Sequence, residues 1–403
     1  MAVQDGHGKM TTSGLVFAYD IKDQVNSYLG EPTQNLALDT FSQGGWPGTH
    51  TLIDSATKTF DCTTSSVEWG GTGAWTMFYY DVSAYTGQYI TISAVIDEID
   101  ESNGLFSFIM IGQTINSETY LGYSPEADRN STATRNRERI SWSGIIGSGG
   151  KVGILIWLDN SARGVPGSVR VRFTNVQVEL KSHPTVFTPA SRTSTQSLFD
   201  LTGGVSTINL NSVSFDANSA IQFDGTNDLI DVGSHAASQF GPSTSAFSVE
   251  FVYKVPASPT KTTAGSVISR YRYNFQHIYS GNYLQFDYVN KGYDDNGSYS
   301  ATAITTGLNP AGQWNHIVFT YTRSGDSASL AAYRSGVLVN TGSSTRLSTY
   351  PLSNFYIGHS DHLGGTYYDL EGTIGAIRIY NRALTQAEVL QNYKTVRTKY
   401  GIS

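Results

Sequence analysis

The sequence predicts an all-β protein built from two antiparallel β-sandwiches with a short C-terminal helix. Three observations carry this. Forty-one Gly against eleven Pro among 403 residues, with abundant Ser and Thr and twenty-five Tyr, is the composition of short strands joined by tight turns. Runs such as YITISAVI and SVRVRFTNVQVEL alternate apolar and polar positions, the period of strands with one buried face. The chain also exceeds the usual size of one domain, so two cores are expected, each large enough to be stable without covalent staples.

Composition excludes several classes. Cys62 is the single cysteine, so no intramolecular disulfide forms. A net charge of −7, with 15% charged residues, lacks the basic footprint of a nucleic-acid binder. No stretch approaches the ~18 apolar residues of a membrane span, and MAVQDGHGKMTTSG has no apolar signal core. A soluble protein made in the cytoplasm, with neither nucleic-acid nor membrane partners, is the expectation. Ser, Thr, Asn and Tyr then supply much of the polar surface, which suits neutral polar ligands or protein neighbours.

Residues 1–12 are polar and aperiodic, and are expected to form a flexible arm in which His7 and Lys9 are candidate partner contacts. GLVFAYD at 14–20 is a short strand, and NSYLGEPTQNL at 26–36 is a linker by its Gly-Glu-Pro turn chemistry. Strand-like runs recur at 75–81, 89–96, 105–111, 137–145, 151–158 and 168–180, making a sandwich of about eight strands whose exit is punctuated by Pro184 and Pro189. Further on, AIQFDGTNDLIDVG reads as strand, turn and strand, and SAFSVEFVYKV as an alternating strand. GQWNHIVFTYTRSGDSASLAAYRSGVLVNTG is a meander with Ser-Gly turns, and LSNFYIGHSD and GTIGAIRIYN finish the sheet. In RALTQAEVLQNYKTVRTKYG, Thr385 and Glu388 form a capping box. Val389, Leu390, Tyr393 and Val396 share a face, and Gly401 is the stop.

GLVFAYD, LFDLTGGVSTINLNSVSFDANSAIQFDGTNDLIDVG and GTIGAIRIYNRALTQAEVLQNY together resemble the concanavalin A-like, laminin-G-type jelly roll, a binding module of many extracellular and viral proteins. In that family the first strand precedes the others by only a few tens of residues; here the gap is several times longer. The resemblance therefore implies a discontinuous laminin-G-like sandwich over 13–36 plus 193–403, interrupted by an inserted sandwich over 37–192. The closing VRFTNVQVELKSHPTVFTPASR of the insert is similar to the last strand and exit of carbohydrate-binding-module-like jelly rolls that accompany bacteriophage structural proteins. Together these resemblances imply a bacteriophage virion protein, made in the host cytoplasm: an outer capsid, neck or tail decoration or fibre protein with glycan- or host-surface-binding capacity. The implied partners are other virion proteins, host-surface polysaccharide and further copies of the chain in a homo-oligomer. A divergent glycan-processing enzyme and a purely architectural virion protein remain open alternatives.

No catalytic residue is assigned. In VIDEIDE at 95–101, Glu98 and Asp100 share a strand face, but position 102 is Ser and Glu101 points the other way. The third carboxylate of concanavalin-like hydrolases is thus missing, and the tract reads as an acidic strand end. His359, Asp361 and His362 in GHSDHLGG are metal-capable but lack the further ligands of a zinc site, so they read as a solvated loop or a ligand-contact rim. Asp294, Asp295 and Asn296, after Tyr293 in KGYDDNGSYS, form an oxygen-rich hairpin tip. No cofactor is required, but the resemblance implies calcium in a rim loop as the alternative to an ordinary polar turn, oxygen donors being what that ion takes. Trp142 and Trp157 lie in strand-like runs and read as core, whereas Trp46 in GGWPG and Trp69 beside Gly-Gly are exposed candidates for stacking on a sugar. Trp314 and His316 read as packing residues. Arg135, Arg137 and Arg139 share a face when extended, and read as a protein contact or a solvated edge.

Overall fold

Alternating apolar residues collect into separate cores in two compact units, Met1–Glu31 with Ser194–Ser403 and Pro32–Thr193. The computed structural model describes residues 10–46, 48–66, 75–101, 106–113, 138–148, 150–158, 167–205, 207–216, 220–233, 245–270, 273–288, 304–325, 327–344, 355–360 and 368–402. Among them the chain is all-β with antiparallel sheets and one C-terminal helix, Gln386–Tyr400.

The first unit is a sandwich of two sheets. One is eight-stranded, in the order Ser214–Phe215, Ile221–Asp224, Glu371–Tyr380, Ala246–Lys254, Asn315–Ser324, Ser327–Arg334 and Val337–Ser344, with Leu15–Asp20 also on Glu371–Tyr380. The other runs Asn209–Asn211, Leu229–Gly233, Phe355–Ile357, Ala264–Arg270, Tyr273–Ile278, Tyr283–Tyr288 and Ile304–Leu308. Their inward faces share a core in which Phe17, Tyr19, Phe251, Phe275, Phe286 and Ile377 are fully buried, with Phe275 stacked on Phe286 at 4.3 Å. Leu15–Asp20 lies antiparallel to the closing strand, Phe17 opposite Ile379 and Tyr19 opposite Ile377. Its other side is sealed by the DLTGG turn: Ala18 N donates to Asp200 Oδ1 at 2.9 Å, and Leu201 N to Ala18 O at 2.8 Å. The apolar alternation of LVFAYD is what lets so short a strand join this core.

The terminal helix has the capping box expected of it, Thr385 accepting from Glu388 N while Glu388 accepts from Thr385 N, and Gly401 closes it with φ +65°. Its buried side chains are Val389, Asn392, Tyr393, Thr395, Val396 and Tyr400. Leu390, expected on the packed face, is 37% exposed. The stripe at spacings of three and four passes through polar Asn392, two residues and about 200° around the helix from Leu390.

Of the arm expected over residues 1–12, the last part is held. Met10 packs against the cluster of Val252, Ala376, Tyr393, Val396 and Tyr400, and Thr11 N donates to Asn392 Oδ1 at 2.9 Å. His7 and Lys9 lie outside the described residues.

The second unit is also a sandwich. Its five-stranded sheet runs Gly48–Asp54, Thr59–Ser66, Gly167–Glu179, Tyr89–Glu101 and Glu138–Ile145; its four-stranded sheet runs Ser42–Trp46, Trp75–Asp81, Lys151–Leu158 and Phe106–Gln113. Phe60, Phe78, Ile92, Ile154, Val171 and Phe173 fill the space between. The contact boundary falls before Pro32, ahead of the expected start at Ala37. Thr33–Gln34 pairs with Ser191–Arg192, and Asn35 Nδ2 donates to Val176 O and Thr188 O, so the linker is knitted into this unit.

Candidate functional site

In the four-stranded sheet, Phe78, Tyr80, Ile109, Ile111, Val152, Ile154 and Ile156 face the core. Successive strand residues alternate faces, which puts Ser42, Tyr79, Gly112, Gly153 and Leu155 on the opposite face. Along the ladders Trp46 pairs with Trp75, Trp75 with Trp157, and Trp157 with Phe108. These four positions form one transverse row across all four strands. The next row is Gly44, Met77, Leu155 and Met110, and the one after is Ser42, Tyr79, Gly153 and Gly112. Leu155 is only 1% exposed although it belongs to this outer face. Lys151 Nζ sits 4.8 Å from the centre of the Tyr79 ring. At Gly153 a Cβ would lie 2.2 Å from Phe78 O, which holds that position to glycine.

Trp157, expected in the core, holds a ladder position in Lys151–Leu158, and its side chain lies outside the described ones. In KVGILIWL both strand faces are apolar, so the sequence cannot tell one face from the other. Trp142 does pack against the core, its indole lying over Gly144. Trp46 takes the end of a strand and its place in the row, while Trp69 lies outside the described residues.

The other sheet of this unit is ionic and self-satisfied. Arg170 and Arg172 both contact Asp61, at 2.8 Å, and both contact Glu98, at 3.2 and 3.3 Å. Burial opposes ionisation of Asp61, but hydrogen bonds from the two guanidiniums outweigh it and lower its pKa. Glu98 faces Arg172 in the ladder, and Asp100 faces Arg170. The VIDEIDE carboxylates therefore sit in a cross-strand charge lattice. Arg139 donates to Ser93 Oγ and Thr185 O, clamping the exit tract onto the sheet. Arg135 and Arg137 lie outside the described residues. Buried Glu179 anchors the same tract, accepting from Thr33 Oγ1, Gln177 Nε2, Thr185 N and Thr185 Oγ1 at 2.6–2.8 Å.

In the first unit, the FDGTND turn and the segment around His359 form a loop rim. Asp224 N donates to Asp228 Oδ2 at 2.7 Å, and Asn227 N to Asp369 Oδ2 at 3.1 Å. His359 Nδ1 lies 2.6 Å from Asp369 Oδ1, and its ring meets Tyr356 edge-on. Lys261 Nζ donates to Asp369 O at 2.6 Å. Burial, followed by the neighbouring charges of Asp224 and Asp369, raises the Asp228 pKa to about 6. His359 is thus fixed by a carboxylate and partly buried. Asp361, His362, Tyr293, Asp294, Asp295 and Asn296 lie outside the described residues. Among the described residues no group of three or more His, Cys, Asp or Glu side chains is placed to hold a metal ion. His316 and Trp314 pack, as expected: His316 is fully buried with Nε2 3.2 Å from Glu250 Oε1, and Trp314 meets Tyr400 at 5.0 Å.

Comparison with known proteins bears on the first unit. Residues 224–390 match the Laminin_G_3 family model of the concanavalin A-like lectin/glucanases superfamily. The matched segment runs from the FDGTND turn into the terminal helix, so the loop rim and the central strands belong to a concanavalin A-like jelly roll, the laminin-G-like domain. No curated protein matches the sequence. Several solved structures align over part of the chain. The receptor-binding domain of botulinum neurotoxin mosaic serotype C/D does so at 12% identity and TM-score 0.37, covering 51% of this chain and 49% of that one. The binding domain of botulinum neurotoxin DC, solved with rat synaptotagmin II, gives 14% identity and TM-score 0.39, covering 51% and 50%. A Trypanosoma rangeli sialidase mutant gives 15% identity and TM-score 0.36, covering 49% and 30%. The chain thus spans half or less of the length of these structures, and no residue role is carried over from them.

Proposed function

We propose that the chain is a glycan-binding structural protein of a bacteriophage particle, an outer capsid, neck or tail decoration or fibre protein that engages host-surface polysaccharide. The observation that carries glycan binding is the match of residues 224–390 to a family model of the concanavalin A-like lectin/glucanases superfamily.

The virion assignment rests on the resemblance of VRFTNVQVELKSHPTVFTPASR to exit tracts of modules in phage structural proteins, and the proposed partners are other virion proteins and further copies of the chain. A structural calcium ion in this reading belongs to the Asp294, Asp295 and Asn296 turn. Chelation should then lower the melting temperature, as loss of any ligand bound only by the folded state does. Two measurements test the main reading. Antibody-labelled electron microscopy of the particle should place the protein on its exterior. A glycan array probed with the whole protein should show saccharide binding. Labelling absent from particles, or an array without any saccharide binder, would overturn the respective half.

A further inference from the structure

One corner of the laminin-G-like sandwich is unusually apolar for a surface. Among the described residues of this domain seven large hydrophobic side chains are exposed, and apart from Val25 and Phe199 they gather in one place: Leu308, Val337, Leu338, Val339 and Leu390. Leu308 is 71% exposed and Val337 59%. Both sheets end there. Val337–Ser344 is the last strand of the eight-stranded sheet and Ile304–Leu308 the last of the other, and among the described residues neither is paired on its outer side. Arg334, opposite Val337 in the ladder, donates to Leu308 O, and Asn340 Nδ2 donates to Thr305 O at 3.2 Å, which joins the two edges. Gln386 Nε2 donates to Gly336 O at 2.7 Å, and a Cβ on Gly336 would lie 3.0 Å from Leu390 Cδ1, so the terminal helix reaches the same corner.

The register shows how apolar side chains wrap this edge. Val337 lies opposite Arg334, and Leu338 opposite Tyr333. Tyr333 packs with Val389 beneath the helix, so Leu338 is on the helix side and Val337 on the side of Leu308. Val339 is the extra residue of a bulge, after which Asn340–Ser344 continues in unbroken register. Sheet edges are ordinarily kept from pairing by shortness, charge or proline. The far ends of the same two sheets obey this, Ser214–Phe215 and Asn209–Asn211 being only two and three residues long. Val337–Ser344 has eight residues, VLVNTGSS, with neither a charge nor a proline.

The occupant that fits is a second copy of the chain. With a net charge of −7, two copies repel unless the surfaces that meet are themselves uncharged. VLVNTGSS satisfies that condition: antiparallel to itself, it sets no like charges opposite one another, and the two Arg334 residues fall at opposite ends. A two-fold axis across the strand makes the corner its own complement. Its size is also sufficient. The strand extends over about 27 Å, and the corner takes in two sheets about 10 Å apart with a helix a further 10 Å or so beyond. That is comparable to the ~800 Å² which each partner contributes to a standard interface. The short strands at the far side offer no second edge, so the assembly closes at two.

We propose that two copies of the chain associate at this corner about a two-fold axis. Val337–Ser344 of one lies antiparallel to Val337–Ser344 of the other, with Leu308 and Leu390 flanking the contact on its two sides. The contact does not depend on glycan binding, and it gives a place to the further copies of the chain named as partners. Sedimentation velocity of the whole protein over a wide concentration range should show a monomer–dimer equilibrium. Val337→Lys and Leu338→Lys, which supply the charge that protected edges carry, should each weaken it by about tenfold or more. Val25→Lys, at an exposed apolar position elsewhere, should change nothing. Thermal unfolding of each variant confirms that it is folded. Hydrogen exchange of the 337–344 amides should slow as the dimer forms.

A protein that stays monomeric at every concentration would overturn the pairing and leave the edge to a strand of some other chain. A dimer that both lysine variants leave intact, or that forms without slowing exchange at 337–344, would overturn it by placing the contact elsewhere. A monomer that binds saccharide would leave the glycan reading standing, and a dimer that binds none would leave the pairing standing without it.

Discussion

Glu250 collects the buried charge of the laminin-G-like domain. Its carboxylate contacts Arg378 Nη1 at 2.9 Å, Asn392 Nδ2 at 2.7 Å and His316 Nε2 at 3.2 Å, while Arg378 also reaches Asp20 and Lys399 reaches Asp20 at 3.1 Å. Burial alone would raise the Glu250 pKa, but the Arg378 charge and the hydrogen bonds from His316 and Asn392 bring it down to about 2. Glu250→Ala, which leaves buried Arg378 with only Asp20 as a carboxylate partner, should cost about 3–5 kcal/mol in urea unfolding. A folded pKa of about 2 against an ordinary 4.5 means that this stability is complete above the unfolded value. It is lost as the pH falls toward the folded one. Asp228 has the opposite sign. Its folded pKa of about 6 lies above the ordinary 3.8, so its contribution is present below the unfolded value and is lost as pH rises through about 6. Buried His277, lowered to about 4 by desolvation, acts against Asp228 in an overlapping window. Comparison with a variant isolates the carboxylate: wild type minus Asp228→Asn stability should fall between about pH 4 and 6, and a flat difference would refute the shift.

At the scale of elements, the helix cap was legible because a Thr-x-x-Glu signature is local: four residues contain both partners. Thr385→Ala should lower stability by about 1 kcal/mol in chemical denaturation. Contacts between distant residues left no such trace. The Arg378–Asp20 pair spans 358 positions, and nothing near Asp20 in LVFAYD announces a buried cation. The same holds for the faces of Lys151–Leu158, since a run apolar on both sides has no period to read. The tie of Thr11 to Asn392, 381 residues apart, was hidden for the first reason. It yields a sharp comparison: removing residues 1–9 should leave the melting temperature unchanged, whereas removing 1–12 should lower it by stripping the Met10 contact and leaving Asn392 Oδ1 without Thr11 N. Equal melting temperatures for the two truncations would refute the tie. The exit tract of the second unit depends in the same way on Glu179. Glu179→Ala leaves the donors of Thr185 and Gln177 unmatched and should expose 181–188 to limited proteolysis.

For the whole molecule, the all-β class was legible from composition and alternation, properties summed over hundreds of residues that survive local ambiguity. The pairing of residues 15–20 with 371–380 was legible only through the family resemblance, because no pattern within either strand names its partner. Excising Pro32–Thr193 and joining the ends by a short linker should leave the first unit folded, with a cooperative thermal transition. Tyr28 bridges Leu198 and Leu29 N donates to Ser197 O at 2.9 Å, so the two ends already lie side by side. Deleting residues 1–31 from that excised form should abolish the transition, as the closing strand would lose Phe17 and Tyr19 from its inward face.

That side-by-side crossing has a consequence for how the chain is made. Leu15–Asp20 leaves the ribosome long before its partner strand Glu371–Tyr380 is synthesised. At roughly 5–20 residues per second the first strand waits tens of seconds without its ladder. The second unit lies wholly between them and can fold in the interval. Once folded, with Thr33–Gln34 held against Ser191–Arg192, it turns an intervening loop on the order of 160 residues into a closed staple. That lowers the loop-closure cost of uniting the halves of the first unit by about 2–3 kcal/mol. A substitution that unfolds only the second unit should therefore slow refolding of the first, and stopped-flow refolding of such a variant beside the excised form would show it. The insert is then a built-in folding clamp for the domain it interrupts.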